Sequence, residues 1–115
     1  MTDAINRFFA AWSDIDGDGR ADLIRSAVSG SFRYTDPHTP DPITSVEGML
    51  EFLGGFPPGA SARVIEPIDR HHGHARVNVT FDFGEGKSMV GQYFADLDAD
   101  GKIVRAVGFP GKGAE

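Results

Sequence analysis

The chain contains no cysteine, and this absence excludes disulfide bonds, thiolate catalysis and zinc sites with cysteine ligands. Basic residues are also scarce, because 17 acidic side chains outnumber 11 basic ones and give a formal net charge of −6. A negative protein repels the phosphates of nucleic acids and of anionic lipids, so we expect neither nucleic acid nor membrane as a partner.

Long hydrophobic runs are missing as well. No stretch approaches the roughly 20 apolar residues of a membrane span. The first twelve residues, MTDAINRFFAAW, lack both the basic region and the apolar region of a signal peptide. A cytoplasmic location is the resulting expectation.

What is present indicates a folded globule. Hydrophobic residues make up 40% of the 115 residues and include nine phenylalanines, which is not typical of a disordered chain. This length suffices for one core, so we expect a single domain over residues 1–115.

Hydrophobic spacing divides the chain into a mainly helical first half and a second half of strands. Apolar residues three and four apart predict a first helix capped by Thr2 or Asp3, a second from about Arg20 to Val28, and a third opened by Ser45. Alternating apolar residues predict one strand near Phe32 and four later ones, over residues 61–68, 74–83, 88–97 and 103–109. Three helices followed by an antiparallel meander indicate an α+β fold.

The stretch SFRYTDP, residues 31–37, places an aspartate at the end of a strand. Phe32, Tyr34 and Asp36 alternate onto one strand face, so the carboxylate follows two aromatic rings toward an apolar interior. Pro37 lacks a backbone donor and ends the strand. Since a buried carboxylate without a partner can act as a general base near neutral pH, Asp36 is the predicted centre of a functional site.

Apolar residues from several predicted elements are candidates for the wall of a ligand pocket around Asp36. On the strand over residues 74–83, Val79 and Phe81 line a sheet face that also receives Tyr34 and Asp36. A solid core would leave the polar tips of Tyr34 and Asp36 without hydrogen bonds, so a pocket is expected there. The more common use of such a face is simply core. The predicted ligand is a small apolar molecule, and its predicted contacts are Phe8, Trp12, Phe32, Met49, Phe52, Phe56, Val79 and Phe81.

Two aspartate-rich runs resemble the first half of a calcium-binding EF-hand loop. They are DIDGDG, residues 14–19, and DLDADG, residues 96–101. Position twelve of each loop should be glutamate but holds Arg25 or Val107. A hairpin turn with Gly101 at positive φ explains the second run without a metal.

The sequence HHGH, residues 71–74, is a possible zinc or nickel cluster, but Gly73 indicates a turn or bulge that separates the imidazoles. No carboxylate nearby completes a ligand set. We therefore expect no metal and no cofactor.

The order of these elements resembles the NTF2-like superfamily, which includes SnoaL-like proteins and ketosteroid isomerases. The resemblance rests on a strand ending in YTDP, a helix after it, and four strands with DADGKI at the last hairpin and VGFPG beyond. It covers nearly the whole chain. It implies a cone-shaped α+β fold in which a strongly curved antiparallel sheet wraps three N-terminal helices, leaves a pocket at its open end, and dimerises through its outer face. We therefore expect a homodimer.

The resemblance also implies roles for individual residues. In ketosteroid isomerases the general base is the aspartate of an Asp-Pro pair ahead of a helix, and Asp36 with Pro37 stands at that place. The oxyanion tyrosine of those enzymes corresponds to Phe8, which has no hydroxyl. Their oxyanion aspartic acid corresponds to Tyr93.

Two functions are compatible with these residues. In the first, an isomerase or cyclase, Asp36 removes a proton next to the carbonyl of an apolar compound, and Tyr93 stabilises the enolate together with Tyr34 or His38. In the second, a non-catalytic ligand-binding or accessory protein, hydrogen bonds hold Asp36 and the same groups only orient a ligand.

Overall fold

The structure is a computed structural model that describes residues 3–13, 17–55, 59–84 and 86–111. Its helices and strands follow one another as α1 (Ala4–Ala10), α2 (Gly17–Ala27), β1 (Val28–Thr35), α3 (Val46–Gly54), β2 (Ser61–His71), β3 (His74–Gly84), β4 (Lys87–Leu97) and β5 (Ile103–Pro110). The strands form one curved sheet in the order β1-β5-β4-β3-β2. The predicted α+β class is confirmed. No helix in the described ranges is long and apolar enough to cross a membrane.

Side-chain caps fix where two of the helices begin. The Asp3 carboxylate accepts a hydrogen bond from the backbone N–H of Asn6 at 2.9 Å, and the Ser45 hydroxyl accepts one from Gly48 at 3.0 Å. Each cap satisfies a backbone donor that the first helical turn leaves free. The predicted starts of α1 and α3 are therefore confirmed.

The second helix begins earlier than predicted and passes directly into a strand. It starts at Gly17 rather than Arg20 and ends at Ala27, because Val28 already belongs to β1 and pairs with Ile103 of β5. The sequence predicted a helix that continues through Val28. The β-branched side chain of Val28 is buried in the core, where a strand accommodates it well.

One strand pair corrects the prediction of a wholly antiparallel sheet. The pairs β2–β3, β3–β4 and β4–β5 are antiparallel, whereas β1 and β5 run parallel, with Tyr34 opposite Ala106. On its other edge Tyr34 exchanges two backbone hydrogen bonds with Ile43, at 2.8 and 2.9 Å. These pairings on both sides fix the backbone of Tyr34 two residues before Asp36.

The helices and the inner face of the sheet enclose one hydrophobic core. Its most deeply buried members include Phe8, Tyr34, Met49 and Val79, none of which is measurably exposed. A bulge between β4 and β5 shifts the alternation, so Ile103 is buried in this core while Phe109 is exposed on the outer face. The outer face is therefore the one that carries the exposed aromatic rings.

Two of the turns between the last four strands use glycine for its left-handed backbone. Gly101 has φ +80°, and the Asp98 carboxylate accepts hydrogen bonds from the backbone N–H groups of Asp100 and Lys102 at 2.9 and 3.0 Å. His72 and Gly73 turn the chain between β2 and β3 with φ values of 50° and 79°. Both turns were predicted. Residues 14–16 of the first aspartate-rich run lie outside the described residues.

Candidate functional site

The site begins with a tight turn, DPHT, immediately after β1. Asp36 occupies the first position and Pro37 the second, which are favoured places for these residue types. The backbone N–H of Thr39 donates to the carbonyl of Asp36 at 3.2 Å, and the Thr39 hydroxyl accepts from the backbone N–H of Asp36 at 3.2 Å. The turn thus holds the Asp36 backbone at both of its polar groups.

The Asp36 carboxylate accepts hydrogen bonds at both oxygens. The hydroxyl of Tyr34 donates to Oδ2, and the backbone N–H of His38 donates to Oδ1 at 2.7 Å. The sequence left open whether this carboxylate has hydrogen-bond partners. Tyr34 and the turn supply those partners because the strand alternation that points Asp36 inward also points Tyr34 inward beside it.

Two buried tyrosines, Tyr34 and Tyr93, interact electrostatically with Asp36. Burial raises the pKa of Tyr34 far above its ordinary value, and the neighbouring Tyr93 and Asp36 raise it further. Burial also raises the pKa of Tyr93, with a further contribution from the Asp36 charge, so both phenols stay protonated at neutral pH. Tyr34 gives its single proton to Asp36, so toward the neighbouring Tyr93 hydroxyl it can act only as an acceptor.

A cavity of about 200 Å³ opens beside this group. Its lining residues are Trp12, Asp36, His38, Phe52, Phe81, Phe83, Met89 and Tyr93. A smaller recess of about 20 Å³ adjoins it and shares Asp36, His38, Met89 and Tyr93. Among the described lining residues Asp36 is the one carboxylate, so the cavity combines an apolar wall with a single acidic end.

Aromatic rings form most of that wall and hold one another in place. The Trp12 ring lies 5.5 Å from Phe81, 5.8 Å from Phe52 and 5.9 Å from Tyr93, measured between centroids. Tilted and edge-to-face pairs at these distances are favourable aromatic geometries. The wall is therefore largely preformed in the protein without ligand.

The structure brings part of the predicted site together. Asp36, His38, Tyr93, Trp12, Phe52 and Phe81 all line the cavity. Tyr34 lies behind Asp36 and supports it. Phe8, Phe32, Met49 and Val79 belong to the same buried core but do not line the cavity. Phe56 lies outside the described residues.

Two lining residues, Phe83 and Met89, were not predicted. Phe83 continues the alternation of Phe81 along β3, and their rings stack with centroids 6.3 Å apart. Met89 lies directly across from Phe81 in the β3–β4 pairing and shares a face of β4 with Tyr93. The same alternation could have identified both, had the facing register of the two strands been known.

The histidine cluster lies away from this cavity. His74 bonds Asp96 at 2.6 Å, and His71 and His72 approach each other at 3.2 Å between their Nδ1 atoms. No group of three or more histidine, aspartate or glutamate side chains in the described ranges is arranged to hold a metal ion.

No family model matches the sequence, and no curated protein matches it either. Solved structures do. One is a SnoaL-like family protein named as a candidate isomerase, from Agrobacterium tumefaciens, with TM-score 0.81, 23% identity and 95% of each chain covered. A candidate ketosteroid isomerase from Kribbella flavida has TM-score 0.72 and 21% identity, with 97% of this chain and 78% of that one covered.

A candidate polyketide cyclase from Sinorhizobium meliloti superposes with TM-score 0.66 and 17% identity, over 94% of each chain. This chain has the NTF2-like fold. In this fold the cavity is lined by Phe52 of α3 and by residues of β3 and β4 on the inner face of the sheet. At these identities the likeness establishes the fold and not the reaction, because one fold can host many activities.

Proposed function

We propose that this protein binds a small, largely apolar carbonyl compound in the cavity and that Asp36 removes a proton from the carbon next to the carbonyl. The observation that carries the proposal is the meeting of the Asp36 carboxylate and the Tyr93 hydroxyl in one aromatic cavity. The names of the structural neighbours, two candidate isomerases and a candidate cyclase, agree with this type of reaction.

The chemistry requires a base and a hydrogen-bond donor on the same ligand. Each Asp36 oxygen accepts one hydrogen bond from the protein and keeps a further lone pair that can take a proton. As the C–H bond breaks, its electron pair forms the enolate double bond and the carbonyl oxygen becomes negative. The Tyr93 hydroxyl, which lines the cavity, donates a hydrogen bond to that oxygen, and His38 at the rim is a second donor candidate.

The fate of the enolate then defines the reaction. Return of the proton from Asp36 to a different carbon gives an isomerase. Attack of the enolate carbon on a second carbonyl of the same molecule breaks the π bond of that carbonyl, its oxygen takes the proton from Asp36, and the closed ring makes the protein a cyclase. Both outcomes share the first step, so the first step is the one to test.

Proton abstraction can be measured before the substrate is known. Cyclohexanone and small cyclic enones are incubated with the protein in D₂O, and loss of their α-proton signals is followed by NMR. We expect wild type to accelerate exchange, Asp36→Asn to lose the acceleration, and Asp41→Asn, in the same loop, to retain it. Equal exchange by wild type and Asp36→Asn would contradict the assignment of Asp36 as base.

A specific observation favours a second function, non-catalytic ligand binding. Both Asp36 oxygens already accept hydrogen bonds from the protein, as expected for a carboxylate that maintains the site's structure. In that case probe ligands would quench or shift the fluorescence of Trp12, which lines the cavity and is the sole tryptophan, without any exchange of their protons.

We further propose that two copies of the chain associate through the outer face of the sheet. Phe94 and Phe109 lie there with 42% and 51% of their surface exposed, and their rings are 6.0 Å apart. An adjoining pair of exposed phenylalanines is typical of an interface. The cytoplasmic location also remains a prediction, and cell fractionation would test it.

A further inference from the structure

Tyr93 lies against two glycines of the sheet. Gly108 is its direct partner across the β4–β5 pairing, and Gly91 precedes it by two residues on the same face of β4. A Cβ atom at Gly108 would lie 2.4 Å from Cε2 and 2.9 Å from Cδ2 of the Tyr93 ring. A Cβ atom at Gly91 would lie 2.9 Å from Cε1 and 3.2 Å from the hydroxyl oxygen. The two glycines thus leave room for opposite edges of one ring.

Other aromatic rings pack against the Tyr93 ring and limit the positions to which it can move. Phe9 lies 4.7 Å from it between centroids, Trp12 5.9 Å and Phe81 6.1 Å. Interiors are packed closely enough that one added methyl group is felt by its neighbours. A side chain at position 108 would therefore displace Tyr93 rather than fit beside it.

Backbone conformation does not explain these glycines. Six described glycines have positive φ, where other residues are strained, but neither Gly91 nor Gly108 is among them. Both lie in regular strand pairing, where glycine usually weakens a sheet. What position 108 requires is the absence of a side chain.

The Cβ of Gly108 would also approach Asp36 Cβ to 3.3 Å, so this position lies between the two polar groups of the cavity. We propose that Gly108 is a positioning residue, which, with Gly91, sets the Tyr93 ring so that its hydroxyl reaches the ligand beside Asp36. The proposal rests on the proposed function for its ligand, but the placement of the ring can be tested without one.

The first test is structural and needs no ligand. The chain has two tyrosines, so labelling their Cζ atoms with ¹³C gives two NMR signals, which Tyr93→Phe assigns. We expect Gly108→Ala to shift the Tyr93 signal. The matched control is Gly30→Ala, in strand β1, because an added Cβ there meets no atom within 4 Å and φ is not positive. That variant should leave both signals in place.

The second test asks whether the Tyr93 ring is the reason that Gly108→Ala lowers the stability of the protein. Gly108→Ala is made in wild type and in Tyr93→Val, and urea midpoints are compared in a double-mutant cycle. We expect a clear fall of the midpoint in wild type and a much smaller fall in Tyr93→Val, where the ring is gone. An equal fall in both backgrounds, or an unmoved Tyr93 signal, would overturn the proposal.

If Gly108→Ala does not fold, Gly91→Ala replaces it in the double-mutant cycle. An added Cβ at Gly91 lies 2.9 Å from the nearest atom of the Tyr93 ring, compared with 2.4 Å at Gly108. The functional readout is the α-proton exchange described above, which we expect to fall by about tenfold or more in Gly108→Ala, because small displacements of a catalytic group are costly. Full exchange in a variant whose Tyr93 signal has shifted would overturn the functional part. The double-mutant cycle can show coupling between positions 108 and 93 while wild type fails to accelerate α-proton exchange. In that case Gly108 still positions the Tyr93 ring, but the proposed function is rejected.

Discussion

Replacing Asp36 by Asn tests the site through stability alone. The substitution keeps the shape of the side chain but leaves one oxygen that can accept hydrogen bonds instead of two. Two donors point at this side chain, the hydroxyl of Tyr34 and the backbone N–H of His38. One of them must lose its partner.

The asparagine has two orientations, and each leaves a different donor unsatisfied. If its oxygen faces His38, the fully buried hydroxyl of Tyr34 loses the acceptor that water cannot replace. If its oxygen faces Tyr34, the amide NH₂ meets the N–H of His38, a residue exposed to solvent. The second orientation is less costly. Since a hydrogen bond to a charged group contributes about 1.5–3 kcal/mol, we expect Asp36→Asn to lower the free energy of unfolding by about 1–3 kcal/mol.

Urea denaturation at pH 7 measures the effect, with Asp41→Asn as the matched control, which we expect to change stability by less than about 0.5 kcal/mol. Asp36→Asn should also cost less in a Tyr34→Phe background, because the single asparagine oxygen can then serve His38 without competition. If the Asp36 carboxylate instead had no hydrogen-bond partners in an apolar site, Asp36→Asn would leave the free energy of unfolding unchanged or raise it. An unchanged or more stable Asp36→Asn protein would therefore refute the hydrogen-bonding scheme.

Three further expectations address the core, the charges and the assembly. Phe81→Ala should cost about 3–5 kcal/mol, since its ring is 3% exposed, and a loss below about 1 kcal/mol would place the ring outside the core. A hydrogen bond from His74, with Arg105 nearby, holds the pKa of Asp96 below its ordinary 3.8. A lowered pKa in the folded state adds stability above pH 3.8 that disappears as pH falls through the folded value, so Asp96→Asn should be less stable at pH 7 and converge with wild type in acid. Light scattering should give the mass of two chains, and Phe94→Ser with Phe109→Ser should give one; a monomeric wild type would reject the outer-face interface.

Much of the fold could be predicted because its signals are local. Helix starts follow from single capping side chains at Asp3 and Ser45, and strand limits follow from alternation between glycine turns. The direction of β1 relative to β5 could not be predicted, because it depends on which distant strand fills the sheet edge. The bulge in β5 likewise follows from pairing with β4, and it places Ile103 and Phe109 on opposite faces although simple alternation would put both on the same face.

The site shows the same division between local and distant information. Alternation along β1 was enough to direct Asp36 inward beside Tyr34. The bond from His38 requires the closed DPHT turn, and the choice of wall residues requires the depth of each ring in the core. The room that Gly108 leaves for the Tyr93 ring depends on the pairing between β4 and β5. Such features join residues whose proximity the sequence does not show.

The volume of the cavity limits which carbonyl compound the protein can accept. Pockets for drug-sized ligands usually measure about 300–1,000 Å³, whereas this one measures about 200 Å³. Its inner wall cannot retreat easily, because Trp12, Phe81 and Tyr93 are buried against one another, while Met89 at the rim is exposed. We therefore expect single-ring ketones to quench the fluorescence of Trp12 saturably and four-ring steroid ketones not to do so, although a structural neighbour is named as a candidate ketosteroid isomerase. Saturable steroid binding would show that the cavity opens by movement of its rim, and Met89→Ala should then tighten that binding. Without such movement, the close packing that fixes Tyr93 beside Asp36 also excludes the larger substrate.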